Sequence, residues 1–422
     1  MIKYLPLEEF TYSGNRMKCE DVFINEIIEQ TGTPVYIYSK SHFERQYKRF
    51  SNAFKEIKHK IFYAVKSNYN LNVIKTFTDL GSGVDVNSEG ELHRALKLGI
   101  FPKNIILTGV GKTESEIRLG LEKELLMIKV ESEEELLSID KIAGSLNKIA
   151  PVAIRVNPDV DPQTHPYIST GLAENKFGVE YDSAYYLYKV YKDLPNVRFV
   201  GIDMHIGSQI LTPEPFREAT EKIAELYVKL KELGIKLEHF DTGGGFGVNY
   251  RDKEPFEIDD FAQKIIPALK KFDCDIFFEP GRFLTANGGI LVTKAQYTKS
   301  NLVKSFIVVD AAMTDLLRPG LYRAYHHVQP VEIKPERDEI TVDVVGGVCE
   351  SSDFLAKDRV ITEVKKDEYL AVMSAGAYGM VMSSNYNGRR RPPEVLVEKN
   401  SFKIIRSRET YDSLLWDEEK YI

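Results

Sequence analysis

Ile61-Phe62-Tyr63-Ala64-Val65-Lys66-Ser67-Asn68 is a run of five apolar residues that ends in a lysine. The run reads as a buried strand whose end carries an amine. Comparable β-rich runs occur at 35–38, 83–86, 105–108, 127–130, 152–156, 200–206, 237–241 and 276–279. Between them lie charged amphipathic segments. In 216–233, for example, Ile223, Leu226, Tyr227 and Leu230 recur at helical spacing. Strands alternating with helices imply parallel strands joined by crossovers. Eight or nine such units in roughly 250 residues fit a (β/α)8 TIM-like barrel. An open doubly wound sheet remains the alternative, because periodicity does not distinguish open from closed.

Beyond residue 284 the texture changes. Strand-like runs at 306–309, 340–345, 369–373, 395–397 and 402–405 follow one another without long helices, punctuated by Pro and Gly. They predict a second, mainly antiparallel β domain. The expected division is 34–284 for the barrel, with 1–33 and 285–422 forming the β domain.

The chain has 422 residues and a formal net charge of -7, which argues against a nucleic-acid partner. Its three cysteines, Cys19, Cys274 and Cys349, are far apart and lack metal-type spacing. A disulfide framework is not expected and a reducing compartment is. The N-terminus runs soon into Glu8 and Glu9, unlike a signal peptide, and no apolar run is long enough to span a bilayer. A cytoplasmic protein is expected.

Polar and Gly-rich clusters fall just after the expected strands: Lys66-Ser67-Asn68, Asp85-Val86-Asn87-Ser88-Glu89, Arg155-Val156-Asn157-Pro158, His205-Ile206-Gly207-Ser208, Gly243-Gly244-Gly245-Phe246-Gly247 and Glu279-Pro280-Gly281-Arg282. In parallel α/β folds those strand ends carry the active site, so the clusters should converge on one mouth. Lys66 leaves a buried strand. Desolvation there would make it a nucleophilic amine suited to a Schiff base, unless it merely starts a solvated loop. Gly243, Gly244 and Gly245 offer backbone N–H groups for a phosphate, or form only a tight turn; neither the dinucleotide nor the P-loop pattern is met. Glu279 needs a partner, which Arg282 could be, or it could face a cofactor nitrogen. His205 alone reads equally as a satisfied core histidine. The neighbouring His326 and His327 cannot both point one way on a strand, so they are not read as a metal site.

Taken together these motifs resemble the fold-type III, alanine-racemase-like family of pyridoxal-phosphate enzymes. That resemblance implies pyridoxal 5'-phosphate carried on Lys66, with Asp85 also at the cofactor. It implies that His205 stacks on the ring and Ser208 reaches the phosphate. Gly243–Gly245 would form the phosphate loop, Glu279 would pair with the ring nitrogen, and Gly281 and Arg282 would line the same cofactor. Ala375-Gly376-Ala377-Tyr378-Gly379 resembles the segment whose tyrosine, Tyr378, bonds the phosphate.

Longer stretches are similar to the diaminopimelate decarboxylases within that family. They include Arg155-Val156-Asn157-Pro158-Asp159-Val160 with Thr164-His165 and Lys176-Phe177-Gly178. Arg318-Pro319 with Leu321-Tyr322, Cys349-Glu350-Ser351-Ser352-Asp353 and Asn385-Tyr386-Asn387 continue the match. The implied reaction is decarboxylation of meso-2,6-diaminopimelate to L-lysine in a homodimer with shared sites, Cys349 reprotonating Cα. Arg282, Arg318 and Tyr322 would hold the distal carboxylate, Glu350 the distal ammonium, and Tyr378 would line the substrate. Decarboxylation of ornithine, arginine or carboxynorspermidine, alanine-racemase chemistry, and a non-catalytic regulatory homologue are the competing readings.

Overall fold

The computed structural model describes residues 4, 5, 7–162, 164, 170, 171, 175–251 and 257–422. The chain divides into two compact units. One contains Gln46–Val248 and the segment ending at Phe283; the other contains the chain up to Arg45, a short stretch from Asn249, and Leu284 onward.

The first unit is a closed barrel. Its strands are His59–Ala64 (β1), Gly83–Val86 (β2), Ile105–Leu107 (β3), Met127–Val130 (β4), Ala150–Asn157 (β5), Val197–Met204 (β6), His239–Asp241 (β7) and Asp275–Phe278 (β8). Each pairs in parallel with the next, and β8 pairs with β1 through Ile276↔His59 and Phe278↔Ile61. That last pairing excludes the open sheet. A helix follows each of β1–β7. Several begin on a side-chain cap just past the strand: Asn70, Ser88, Thr113 and Ser132 each accept a first-turn backbone N–H. The expected amphipathic helix is Glu214–Glu232, and it buries Ile223, Leu226, Tyr227 and Leu230.

Residues two apart on a strand share a face, so the barrel interior is built in layers. Phe62, Ile106, Met127, Ala153, Val200 and Phe277 form an apolar cluster. The Phe62 and Phe277 rings lie 4.7 Å apart, and His239 stacks on Phe277 at 4.5 Å. Gly83 makes room for this layer, since a Cβ there would lie 2.4 Å from the Phe62 ring. Two residues further along the same strands stand Ala64, Asp85, Lys129, Arg155, Asp241 and Glu279, with Asp203 two beyond Gly201. A polar layer therefore sits directly on an apolar one, toward the C-terminal strand ends.

The second unit is a mainly antiparallel sheet. Gly289–Ser300 pairs antiparallel with Ser305–Val309, Tyr369–Val372 and Val35–Ser39, and Val35–Ser39 pairs in parallel with Glu394–Glu398. The run at 35–38, counted with the barrel runs from its sequence, is thus a strand of this sheet. Its residues are apolar and fully buried like those of a barrel strand, so composition could not tell the two apart. The boundary accordingly lies at Gln46 instead of 34. A core of Val35, Ile37, Ile290, Val292, Ala371, Val395 and Val397, with Ile24 and Ile27, holds this unit together. No helix among the described residues is long and apolar enough to cross a membrane.

Phe62 is fully buried in the lower layer. Phe62→Ala should cost about 3–5 kcal/mol, because neighbouring strands cannot collapse into the space. Urea unfolding followed by far-UV circular dichroism measures it. A shift of the barrel transition worth less than about 1 kcal/mol would mean that this layer is not a close-packed core.

Candidate active site

β1 ends in a single 3-10 turn, Val65–Ser67, that buries Val65 and Ser67 and turns Lys66 outward. The Lys66 side chain is 35% exposed, so the strong desolvation expected for it is only partial. Its Nζ lies 3.6 Å from Asp85 Oδ2 and 3.4 Å from Asn87 Oδ1. Asp85 is fully buried on β2, and its Oδ1 has no hydrogen-bond partner. Next to this pair, Glu91 accepts from the Asn87 N–H, and burial raises its carboxyl to about 7.

His205 directly follows β6. Its Nδ1 accepts a hydrogen bond from the Gly244 N–H at 3.0 Å, which fixes the neutral tautomer with the proton on Nε2. Burial, then the cations Arg155, Lys66 and Lys129, hold its pKa well below the ordinary histidine value. Arg155 also forms a buried ion pair with Glu131 at 3.1 Å and reaches the His205 carbonyl at 3.5 Å. Glu131 in turn accepts the Gly178 N–H, and Arg155 lies over the Phe177 ring at 4.9 Å. The Phe177-Gly178 motif thus props the strand end that carries His205. Thr164 Oγ1 donates to the Ser208 carbonyl at 2.7 Å, while His165 lies outside the described residues.

The glycine loop follows β7. A Cβ on Gly243, Gly244 or Gly245 would meet a backbone carbonyl at 2.5, 2.3 or 2.5 Å, so no side chain fits. Two of its donors are already used within the chain. The Gly243 N–H goes to Asp241 Oδ1 and the Gly244 N–H to His205 Nδ1, whereas the Gly245 N–H donates to no described residue. Beside the loop, Arg282 donates to Ser208 Oγ through Nη2 at 2.9 Å and Nε at 3.3 Å. Gly281 packs on the Lys66 turn, where a Cβ would lie 2.9 Å from that of Ser67.

Glu279, at the end of β8, is paired with Lys129 and not with Arg282. Lys129 Nζ lies 2.6 Å from Glu279 Oε1, 2.7 Å from Asp203 Oδ1 and 3.0 Å from Asp241 Oδ2, all four residues being buried. The three carboxylates are spaced closely enough to ligate a metal, but the Lys129 ammonium stands among them and is their cation.

Five further expected residues belong to the β unit. Arg318 opens the short helix Arg318–Tyr322 and is buried; its Nε–H donates to His326 Nε2 at 3.2 Å. His326 Nδ1 bonds the Met373 carbonyl at 2.9 Å. The Arg318 guanidinium lies over the rings of Tyr250 at 5.2 Å and Tyr322 at 6.0 Å. Cys349 is exposed and not a buried hydrophobe; its N–H donates to Asn387 Oδ1, and Glu350 meets Tyr386 Oη at 3.2 Å. Tyr378 sits at a left-handed turn, φ 54°.

The pyridoxal-binding domain of the pyridoxal-dependent decarboxylases matches residues 40–286. A diaminopimelate decarboxylase from Aquifex aeolicus is 47% identical over 406 residues, 96% of each chain. The chain belongs to the diaminopimelate decarboxylase family of pyridoxal-dependent enzymes. A crystal structure of the Helicobacter pylori family member, complexed with L-lysine, superposes with TM-score 0.91 at 42% identity, covering 94% of this chain and 100% of that one. One from M. jannaschii, also with L-lysine, gives 0.93 at 37% identity over 97% and 98% of the two chains.

The family's cofactor, pyridoxal 5'-phosphate, fits the barrel mouth. A phosphate has the Cβ-free cradle with the undirected Gly245 N–H, and Ser208 with Arg282 beside it. Lys66 would hold the aldehyde end, the neutral His205 imidazole would face the ring, and Glu279 would face the ring nitrogen. Sequence reading of this decarboxylase missed Lys129, Asp203 and Asp241. A lone lysine in Met127-Ile128-Lys129-Val130 looks like ordinary strand alternation. The available signal was a charge at the equivalent end position of four separate expected strands.

The neutral state of His205 is testable. Its folded pKa is depressed, so the stability it contributes is present above about 6.5, its unfolded value, and is lost as pH falls through the lower folded value. Heteronuclear NMR of the cofactor-free protein, with the His205 signal assigned from a His205→Asn sample, should show an unprotonated Nδ1 from pH 8 down past 6.5. An imidazolium signal appearing at the ordinary histidine pH would contradict the assignment.

Proposed function

We propose that this chain removes CO2 from one end of meso-2,6-diaminopimelate to give L-lysine, acting as a cytoplasmic homodimer. Pyridoxal 5'-phosphate, when bound, supplies an electron sink for the pair of electrons left behind by CO2. The chain's own residues do the rest. Lys66 would carry the cofactor. The uncharged His205 ring would face it without adding a competing positive charge. Glu279 would pair with the ring nitrogen and hold a proton there, which deepens the sink. Ser208, Arg282, Gly245 and Tyr378 would hold the phosphate.

Arg318 is the observation that carries the choice of substrate. A buried guanidinium held through Nε by His326, over the rings of Tyr250 and Tyr322, is already oriented to receive a carboxylate. The distal carboxylate of diaminopimelate is such an anion; ornithine and arginine have none. Glu350 would take the distal ammonium, and Cys349 would return a proton to Cα. The exposure of Cys349 and Glu350 in the single chain suits residues that complete a site on a second copy.

Arg318→Ala should lower kcat/KM for meso-diaminopimelate by roughly ten- to a few-hundred-fold, the worth of a charge-assisted contact of about 1.5–3 kcal/mol. The cofactor absorbance should stay normal. Activity on a substrate without the distal carboxylate should fall far less. Equal losses on both substrates would mean that Arg318 only supports the fold.

Shared sites predict complementation. Lys66→Ala and Cys349→Ala proteins, each inactive, should regain part of the wild-type activity when mixed under conditions of subunit exchange. Exchange demonstrated by mass spectrometry without any recovery would place each site within one chain.

A further inference from the structure

Three carboxylates surround one ammonium inside the barrel, and a fourth, Asp85, acts on the same groups. Fully ionised, this layer would carry an excess of negative charge in a low-dielectric interior, which is untenable without bound protons or a further cation. Where those protons sit is set by local partners. Burial first, then Asp241, Asp85 and Asp203, carry the Glu279 carboxyl well above its ordinary value, with Lys129 pulling against them. Burial likewise raises Asp203, against the pull of Lys129 and Arg155. Lys129 keeps its own proton firmly: its burial opposes the charge, but Asp203, Asp241, Glu279 and Asp85 together outweigh it. The ammonium is fixed at 2.7 and 3.0 Å by Asp203 and Asp241, and at 2.6 Å it takes Glu279 Oε1. Among the described residues nothing hydrogen-bonds Glu279 Oε2.

We propose that Lys129 is a positioning residue for the cofactor's ring nitrogen: its ammonium fixes Glu279 Oε1 at 2.6 Å and favours the ionised carboxylate against its acidic neighbours, so that the other oxygen is turned to accept the ring N–H. This rests on the reading that Glu279 faces that nitrogen. A protonated Glu279 would instead donate to the nitrogen, leaving a neutral ring and a shallower electron sink. Lys129 thereby decides on which side of the Glu279–nitrogen contact the proton rests. Asp203 and Asp241 are the anchors that hold the ammonium in place.

The test uses the full chain loaded with pyridoxal phosphate carrying 15N in its ring, without substrate. The nitrogen's chemical shift reports directly whether it is protonated. Wild type and Asp203→Asn, which keeps Lys129, should both give the pyridinium signal. Lys129→Met should move the signal toward neutral pyridine and lower kcat by more than an order of magnitude, with KM changed much less. Because Lys129→Met alone orphans three buried acids, the double variant Lys129→Met/Asp203→Asn is measured beside it; it has the same net layer charge as wild type but lacks the contact to Glu279. A folded, cofactor-loaded double variant with an unmoved nitrogen signal overturns the proposal. So does loss of folding or of cofactor uptake in both Lys129 variants, since Lys129 would then serve the fold alone. Glu279→Gln separates the two layers of the argument. If that variant leaves the nitrogen signal unchanged, the placement of Glu279 is what fails; if it shifts the signal while the Lys129 variants do not, only the role of Lys129 fails.

Discussion

The hydrogen-bonded seam between β8 and β1 is the constraint on which the barrel site depends. It joins Asp275–Phe278 to the start of His59–Ala64, segments separated by most of the barrel sequence. Once the seam is closed, Gly281 must lie against the turn that carries Lys66, and only a glycine can approach Ser67 so closely. Glu279 and Lys66 then belong to one mouth without touching. An open sheet with the same strands would leave these two chemistries at opposite edges.

Closure also creates the electrostatic problem that the interior solves. Strands tilted around one axis bring inward-facing positions from β2, β4, β6, β7 and β8 together at the same height. Acids on β6, β7 and at the end of β8 meet a single lysine on β4, while Asp85 on β2 pairs with Lys66. The lower apolar layer shuts out water from below, so the charges above it must compensate one another. Ion pairing with the Lys129 ammonium at 2.6–3.0 Å is the observed solution.

Much of this was legible in the sequence. The alternation of strands and helices gave parallel strands with crossovers and favoured the barrel over an open sheet, closure being decided only by the β8–β1 pairing, and the polar clusters after the strands located its mouth. The reading failed where local pattern is degenerate. Val35–Ser39 has the texture of a barrel strand, and only its partners in the other sheet reveal where it belongs. The glycine loop was left as either a set of phosphate donors or a tight turn, and the structure spends two of its N–H groups within the chain, on Asp241 two residues before Gly243 and on His205 from the preceding strand end. Arg282, three residues along the chain, was one of two partners offered for Glu279, whose ion-pair partner in the structure lies on β4. Pairings set by barrel geometry leave no trace in spacing along the chain.

The placement of Val35–Ser39 bears on how the polypeptide emerges from the ribosome. This strand is made early, yet its partners are Gly289–Val292 and Glu394–Val397. It must wait, unpaired and apolar, while the whole barrel is translated and folds beside it. Vectorial synthesis therefore imposes an order: the barrel is complete first, and the β unit closes only when the last tenth of the chain is released. An early apolar strand left without its partners is a stretch exposed to misassembly between neighbouring nascent chains on one polysome.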